Sequence, residues 1–254
     1  ILNYTKVIEL NPEYKDVYYL RGNEYKNKGN FDQAINDYTK AIELNPEFAL
    51  AYNNRGNAYS GKENNEQAII NYTKAIELDS ESAIFYSNRG IAYKNEENYD
   101  QAILDCSKAI ELQPNNAFPY YIRGISYDGI LNHDQAIKDY TKAIELNREY
   151  PLFYFNRGRC FYKKNSLDRA AKDFSKAIEL NPDADFYKYR GFAYYNKGDF
   201  EQAAKDYNKI IELKPDDPHG YLYRGFFFFK QGNIDQAIIN HTKAIELKPD
   251  FAPA

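Results

Sequence analysis

Seven arginines, Arg21, Arg55, Arg89, Arg123, Arg157, Arg190 and Arg224, each stand directly before a glycine. Sixteen residues after each comes a carboxylate or an amide: Asp37, Asn71, Asp105, Asp139, Asp173, Asp206 or Asn240. A guanidinium beside such a group makes charge-assisted, often bidentate hydrogen bonds. Turned to solvent instead, a periodic row of arginines reads as a phosphate-binding stripe of the kind helical repeats use on RNA. The matched acids and a net charge of -4 favour the internal pairing and argue against nucleic acid as a primary partner. His133, His219 and His241 share no spacing with a nucleophile or with metal ligands. Cys106 and Cys160 occupy unrelated places, suggest no disulfide framework, and fit an intracellular, cytoplasmic setting. No glycine-rich phosphate loop occurs. The chemistry-bearing residues therefore point to a protein that is not an enzyme and has neither cofactor nor metal.

The elements that carry these residues are written seven times. Successive Arg-Gly pairs are 34 residues apart except for one step of 33 between Arg157 and Arg190, a period typical of a solenoid whose units bury their apolar faces against neighbours. With the glycine numbered as position eight, an aromatic falls at position four (Tyr18, Tyr52, Tyr86, Tyr120, Tyr154, Tyr187, Tyr221) and another at eleven, from Tyr25 to Phe228. Spacings of three, four and seven place four, seven, eight and eleven on one face of a helix. A polar turn such as Lys28-Gly29-Asn30 leads to a second stripe, Ala34, Tyr38 and Ala41, and Pro46 and its equivalents end that helix. Each unit is thus expected to be a helical hairpin with Gly22 and Ala34 at the close approach. The reading divides the chain into a leading half repeat (1–14) and complete repeats 15–48, 49–82, 83–116, 117–150, 151–183, 184–217 and 218–251, one array over 1–254.

This pattern resembles the tetratricopeptide repeat family: an aromatic, a glycine, an aromatic, then Ala, an aromatic, Ala and Pro at those spacings. The match departs at Cys106 and His241 (second-helix aromatic), at Ile210 (second Ala), at Ser80 and Arg148 (Pro), and at position seven, where the family's leucine is arginine throughout. The resemblance implies an all-α, right-handed superhelical solenoid of antiparallel helix-turn-helix repeats, acting as a protein-binding scaffold. It also implies that first helices line a concave groove through positions two, five, six, nine and twelve, which are the positions that vary between these repeats.

Along that groove the first three repeats offer a polar lining, with Asn54, Asn57 and Asn88 expected to grip a partner's backbone amides. Later repeats turn apolar: Phe118, Tyr121 and Ile125 in the fourth, and Leu152, Phe155, Arg159 and Tyr162 in the fifth. Lys188, Phe192 and Tyr195 follow in the sixth, then Leu222, Phe226 and Phe229 in the seventh. Exposed aromatics of this kind anchor partners, so an apolar peptide or helix is expected there. The competing reading covers the rings at positions nine and twelve with the adjacent repeat. The carboxylate clamp of chaperone-binding repeats does not fit, because Asn53, Phe118 and Ile122 stand where its basic residues belong; an asparagine ladder fits only at Asn54, Asn88 and Asn156.

Composition agrees with a soluble folded chain: 43% hydrophobic, 28% charged, and 17% aromatic with 26 tyrosines and no tryptophan. No apolar run nears the roughly 20 residues of a membrane helix, so no membrane role is expected. Neither end shows a polar capping element, which suggests a fragment of a longer protein and end-to-end self-association. A recruiting arm of a larger enzyme, such as a glycosyltransferase, and a self-assembling array are the alternative functions.

Overall fold

A glycine facing an aromatic ring fixes how closely two helices approach, and here the arrangement recurs. The structure, a computed structural model, describes residues 1–250; Phe251, where repeat 218–251 was expected to end, and the supposed start of an eighth first helix lie outside the described residues. Regular structure among them is helical throughout. Helix α1 (Leu2–Leu10) precedes seven pairs: α2 (Lys15–Asn27) and α3 (Phe31–Leu44), α4 (Ala49–Gly61) and α5 (Asn65–Leu78), α6 (Ala83–Asn95) and α7 (Tyr99–Leu112), α8 (Ala117–Gly129) and α9 (His133–Leu146). The remaining pairs are α10 (Pro151–Lys163) and α11 (Leu167–Leu180), α12 (Ala184–Lys197) and α13 (Phe200–Leu213), α14 (Pro218–Lys230) and α15 (Ile234–Leu247). The chain divides into two units, Ile1–Gln135 and Ala136–Ala254. Within each unit consecutive helices pack on one another, and a first helix also meets the next first helix, α2 on α4 and α10 on α12. That connectivity is an all-α repeat solenoid.

The close approach follows from residue size. A Cβ added at Gly22, Gly56, Gly158 or Gly191 would lie 2.8, 2.6, 2.8 or 2.6 Å from the ring of Tyr38, Tyr72, Phe174 or Tyr207. Cys106 and His241 fill the same place below Gly90 and Gly225, so each is a packing side chain. The alanines beside these rings, among them Ala34, Ala41, Ala68 and Ala75, are fully buried. A second such pair joins successive hairpins: Gly61 lies under Phe31 and Gly129 under Tyr99. Position three, absent from the stripe expected on the first helices, is buried in all seven (Val17, Ala51, Phe85, Pro119, Phe153, Phe186 and Gly220), whereas several position-four tyrosines are half-buried. Position three faces the preceding second helix, and only packing between hairpins reveals it.

Turns explain the breaks. Position fifteen takes a left-handed conformation in every repeat: φ is 76, 86 and 73° at Gly29, Gly198 and Gly232, but 59, 55, 62 and 57° at Glu63, Glu97, Leu131 and Asn165. After each second helix one residue is extended, as at Asn45 with φ -148°, which suits the position before proline. Where Ser80 and Arg148 replace proline, Asp79 and Asn147 accept hydrogen bonds from the amides of Glu81 and Glu149 at 3.1 and 3.0 Å, and these turns hold the same path. The 33-residue step shortens one connection, between α11 and α12, to 181–183.

The arginines lace the helices together. Nε and Nη2 of Arg21, Arg89, Arg157 and Arg190 donate to both oxygens of Asp37, Asp105, Asp173 and Asp206 at 2.6–2.9 Å. Arg55 and Arg224 donate through Nε to Asn71 and Asn240, each at 2.7 Å. Nη1 reaches the preceding second helix: Thr5, Thr39, Thr73, Ser107, Thr141, Ser175 and Asn208 accept it at 2.8–3.1 Å. Hydroxyls of Thr39, Ser107 and Thr141 donate to carbonyls one turn back at 2.7–2.8 Å, which leaves their lone pairs for the guanidinium. Each arginine also stacks on the tyrosine three residues earlier, 5.4–5.9 Å from ring centre. The hydrogen bond to Asp37 holds Arg21 above its ordinary pKa; burial pulls Arg89 and Arg190 down, and their aspartate bonds more than offset it. In Arg55 and Arg224 burial prevails and the pKa falls.

Two outcomes follow. Arg89→Leu restores the family's side chain but strands Asp105, so the denaturant midpoint should fall by the equivalent of about 3–5 kcal/mol, and Asp105→Leu on top should recover a large part of it. An unchanged midpoint in the single variant refutes the lacing. Leu131→Gly should raise stability by about 1 kcal/mol, because glycine enters the left-handed region without the steric cost of a Cβ; a lower thermal midpoint contradicts this.

Candidate functional site

On α4 and α6, and at Asn23 of α2, varied positions of the first unit carry amides. Asn54 on α4 is their hub: its Nδ2 donates to the Tyr19 hydroxyl at 3.0 Å and to Asn23 Oδ1 at 2.9 Å. Its Oδ1 accepts from Asn53 at 3.1 Å and from Asn57 at 3.3 Å. Asn88 on α6 continues the chain by donating to Asn53 at 2.8 Å. Asn57 and Asn23 also accept the hydroxyls of Tyr72 and Tyr38, each at 2.8 Å. The asparagines expected to grip a partner are therefore bonded chiefly to one another and to core tyrosines, and they tie α2, α4 and α6 side by side. The same network explains why Asn53 is buried. On α8, Phe118 is 46% exposed and Ile125 half-buried, but Tyr121 is buried.

In the second unit position five is also a packing position. Phe155 lies 5.8 Å from Phe174 of its own pair and 4.7 and 5.2 Å from Phe186 and Tyr189 of the next. Leu222, at the equivalent place on α14, is buried. Tyr121 and Leu222 are thus corrected from groove lining to core: both are buried, because position five lies only about 60° around the helix from the packed position eight. Part of Phe155 and Leu152 still borders a cleft of about 400 Å³ with Tyr150, Pro151, Asp183 and Asp185. Arg159 stacks 5.9 and 5.7 Å from Phe155 and Tyr189 and donates to Asn156 at 3.2 Å. Lys188 is bonded to Asp185 and sits 5.1 Å over Tyr189.

Positions nine and twelve behave differently. Tyr162, Phe192, Tyr195, Phe226 and Phe229 line one cleft of about 520 Å³, within the roughly 300–1,000 Å³ of clefts that hold ligands. Tyr223 forms its floor with an edge-on contact to Phe192 at 4.9 Å, backed by Tyr207 at 5.8 Å. Burial raises the pKa of Tyr223, so its hydroxyl stays protonated. Phe226 and Phe229 remain 45% and 58% exposed. The polar rim is Asn196, which donates to the Tyr162 hydroxyl at 2.7 Å, and Lys230. Sequence reasoning missed Asn196 and Lys230 at position thirteen; a helical wheel places thirteen one turn beyond nine, which was the available signal. The cleft offers ring faces for an apolar side chain and a few hydrogen-bonding groups, with no paired acid and base.

Second-helix lysine–glutamate pairs lie on the surface, for example Lys40 with Glu43 at 3.3 Å and Lys142 with Glu145 at 3.2 Å. Cys106 and Cys160 are fully buried. Among the described residues no helix is long and apolar enough to cross a membrane.

Known proteins share this architecture. The solved structure of YrrB, described as a TPR protein with an unusual peptide-binding site, is 32% identical, aligns over 70% of this chain and 93% of its own, and has a TM-score of 0.60. A structure of MamA is 31% identical over 66% of this chain and 92% of its own, with a TM-score of 0.61. Pseudomonas aeruginosa PilF shares the fold at 21% identity, covering 85% of this chain and 97% of its own with a TM-score of 0.72. No curated protein matches the chain. Family models described as TPR repeat match residues 22–63 and 191–232, and models described as tetratricopeptide repeat match 3–36, 49–82, 83–116 and 123–185. Helical pairs of this size and packing, matched along most of the sequence, place the chain in the tetratricopeptide repeat family.

Proposed function

We propose that this protein is an interaction scaffold that holds an apolar peptide or helix of a partner protein in the aromatic cleft of its second unit. The observation that carries the reading is the pair Phe226 and Phe229. Both are about half exposed beside Tyr162, Phe192 and Tyr195, although one edge of Phe226 also rests on His241 at 5.1 Å. Exposed rings in a concave, partly polar setting are the residues on which binding energy concentrates. The peptide-binding site named for YrrB supports a peptide as ligand. The chain works by presenting a surface, without catalysis, and Asn196 and Lys230 supply orientation at the rim. In the first unit the amides are bonded chiefly to one another and to tyrosines, and any hydrogen-bonding group left over is proposed to meet a partner's backbone amides.

The test begins with peptides selected on the wild type from a random-sequence display library. Those peptides should carry aromatic or large aliphatic anchors, and Phe226→Ala with Phe229→Ala should weaken them about 30-fold or more at an unchanged helical signal and thermal midpoint. Selection without an apolar anchor, or equal binding by the double variant, would falsify the reading. Phe155→Ala serves as contrast: its half-buried ring packs on Phe174, Phe186 and Tyr189, so it should lower stability by about 2–3 kcal/mol, as read by denaturant unfolding.

A further inference from the structure

In four hairpins the arginine has two oxygens of an aspartate to itself; in the second and seventh it does not. Asn71 and Asn240 offer Oδ1 to Nε, while their Nδ2 groups donate to the carbonyls of Gln67 and Gln236 at 2.8 and 2.7 Å. Nη1 is taken by Thr39 in one case and Asn208 in the other. Nη2 of Arg55 and of Arg224 is left on the side of an amide N–H, with no acceptor among the described residues. A donor on a half-buried cation facing another donor is an unfilled position.

Both arginines open onto a cleft. Beside Arg55 it measures about 440 Å³, walled by Tyr52, Ile69, Ile70 and Lys74. The equivalent residues Tyr221, Ile238, Ile239 and Lys243 wall about 430 Å³ beside Arg224. The first cleft stays open although α6 packs on α5, so it is a feature of the hairpin. Burial lowers the pKa of both guanidiniums, in contrast to Arg21 beside its aspartate.

We propose that Arg55 and Arg224 each bind a carboxylate of a protein segment from the cleft side, which supplies the negative charge that an aspartate supplies in the other hairpins. The charge count selects a monoanion. Lys74 is already paired with Glu77 at 2.9 Å, and Lys243 with Glu246 at 3.2 Å, which leaves a single uncompensated positive charge at each site. Isoleucine walls suit the methylene stem of a glutamate or an apolar neighbour in the same segment. Arg55 lies about 200° around α4 from Asn57, and neither site shares a residue with the aromatic cleft, so the two readings stand or fall separately.

Sodium butyrate, a carboxylate with a short apolar stem, is the first probe, compared with sodium phosphate and sodium chloride at equal ionic strength. The arginine Nε–H resonances of Arg55 and Arg224 should shift saturably, with half-saturation on the order of millimolar, while those of Arg21 and Arg89 stay in place. Asn71→Asp with Asn240→Asp should raise the thermal midpoint and abolish both shifts. A capped Ile-Glu-Ile peptide should saturate the sites at lower concentration than butyrate, and its Gln counterpart should not bind. The proposal is overturned by equal shifts at Arg21, by shifts that survive in the double aspartate variant, by a lower midpoint in that variant, by a stronger response to phosphate, or by equal binding of the Gln peptide.

Discussion

The guanidinium at position seven sets the geometry on which the rest of the array depends. It lies between two second helices and bonds to both: an aspartate or asparagine on its own hairpin and a hydroxyl or amide on the preceding one. A leucine at that place would fill volume, but it would not fix the two neighbours in register. Five N–H donors in a rigid fork do so, because each acceptor must lie in the plane of the fork. Packing against the tyrosine of the same helix keeps the charged group flat and partly shielded from water. The cost of burying a charge is met by the aspartate, and the hairpins that carry asparagine are those in which the guanidinium pKa falls.

With register held from this side, the opposite side of each first helix is free to vary. On α2, α4 and α6 the variation includes amides, and because every amide has donors and acceptors to satisfy, they join across the three helices. In the second unit the variation is rings. A ring at position five meets its own second helix and the next first helix and disappears into the core, as Phe155 largely does. A ring at nine touches core rings too, as Phe192 does Tyr223 and Phe226 does His241, but keeps part of its surface on the cleft, as Phe229 at twelve does. Positions nine and twelve lie only about 40° and 20° from position five on a helical wheel, yet Leu222 is buried while Phe226 and Phe229 are half exposed.

Much was legible from residue order because seven copies act as an internal alignment. Hairpins, the turn after each first helix and the Arg–Asp pair all lie inside one repeat, where spacing along the chain translates directly into neighbours on two adjacent helices. A threonine or serine sixteen residues before the first five arginines, Ser175 fifteen before Arg190 and Asn208 sixteen before Arg224 repeat almost as faithfully, but on a helix that reads as solvated, and their pairing crosses from one hairpin to the next. The same crossing hid position three, which faces the preceding hairpin; Tyr121 and Leu222, expected as lining, are buried.

Residue order alone determined the all-α hairpin repeat, the close approach at each glycine and the internal partner of each arginine, since helical periodicity and side-chain size decide these locally. Tertiary structure alone decided which varied side chains remain in contact with water. That outcome depends on how far each neighbouring hairpin reaches over the first helix, a distance set by packing between repeats and encoded in no single one of them.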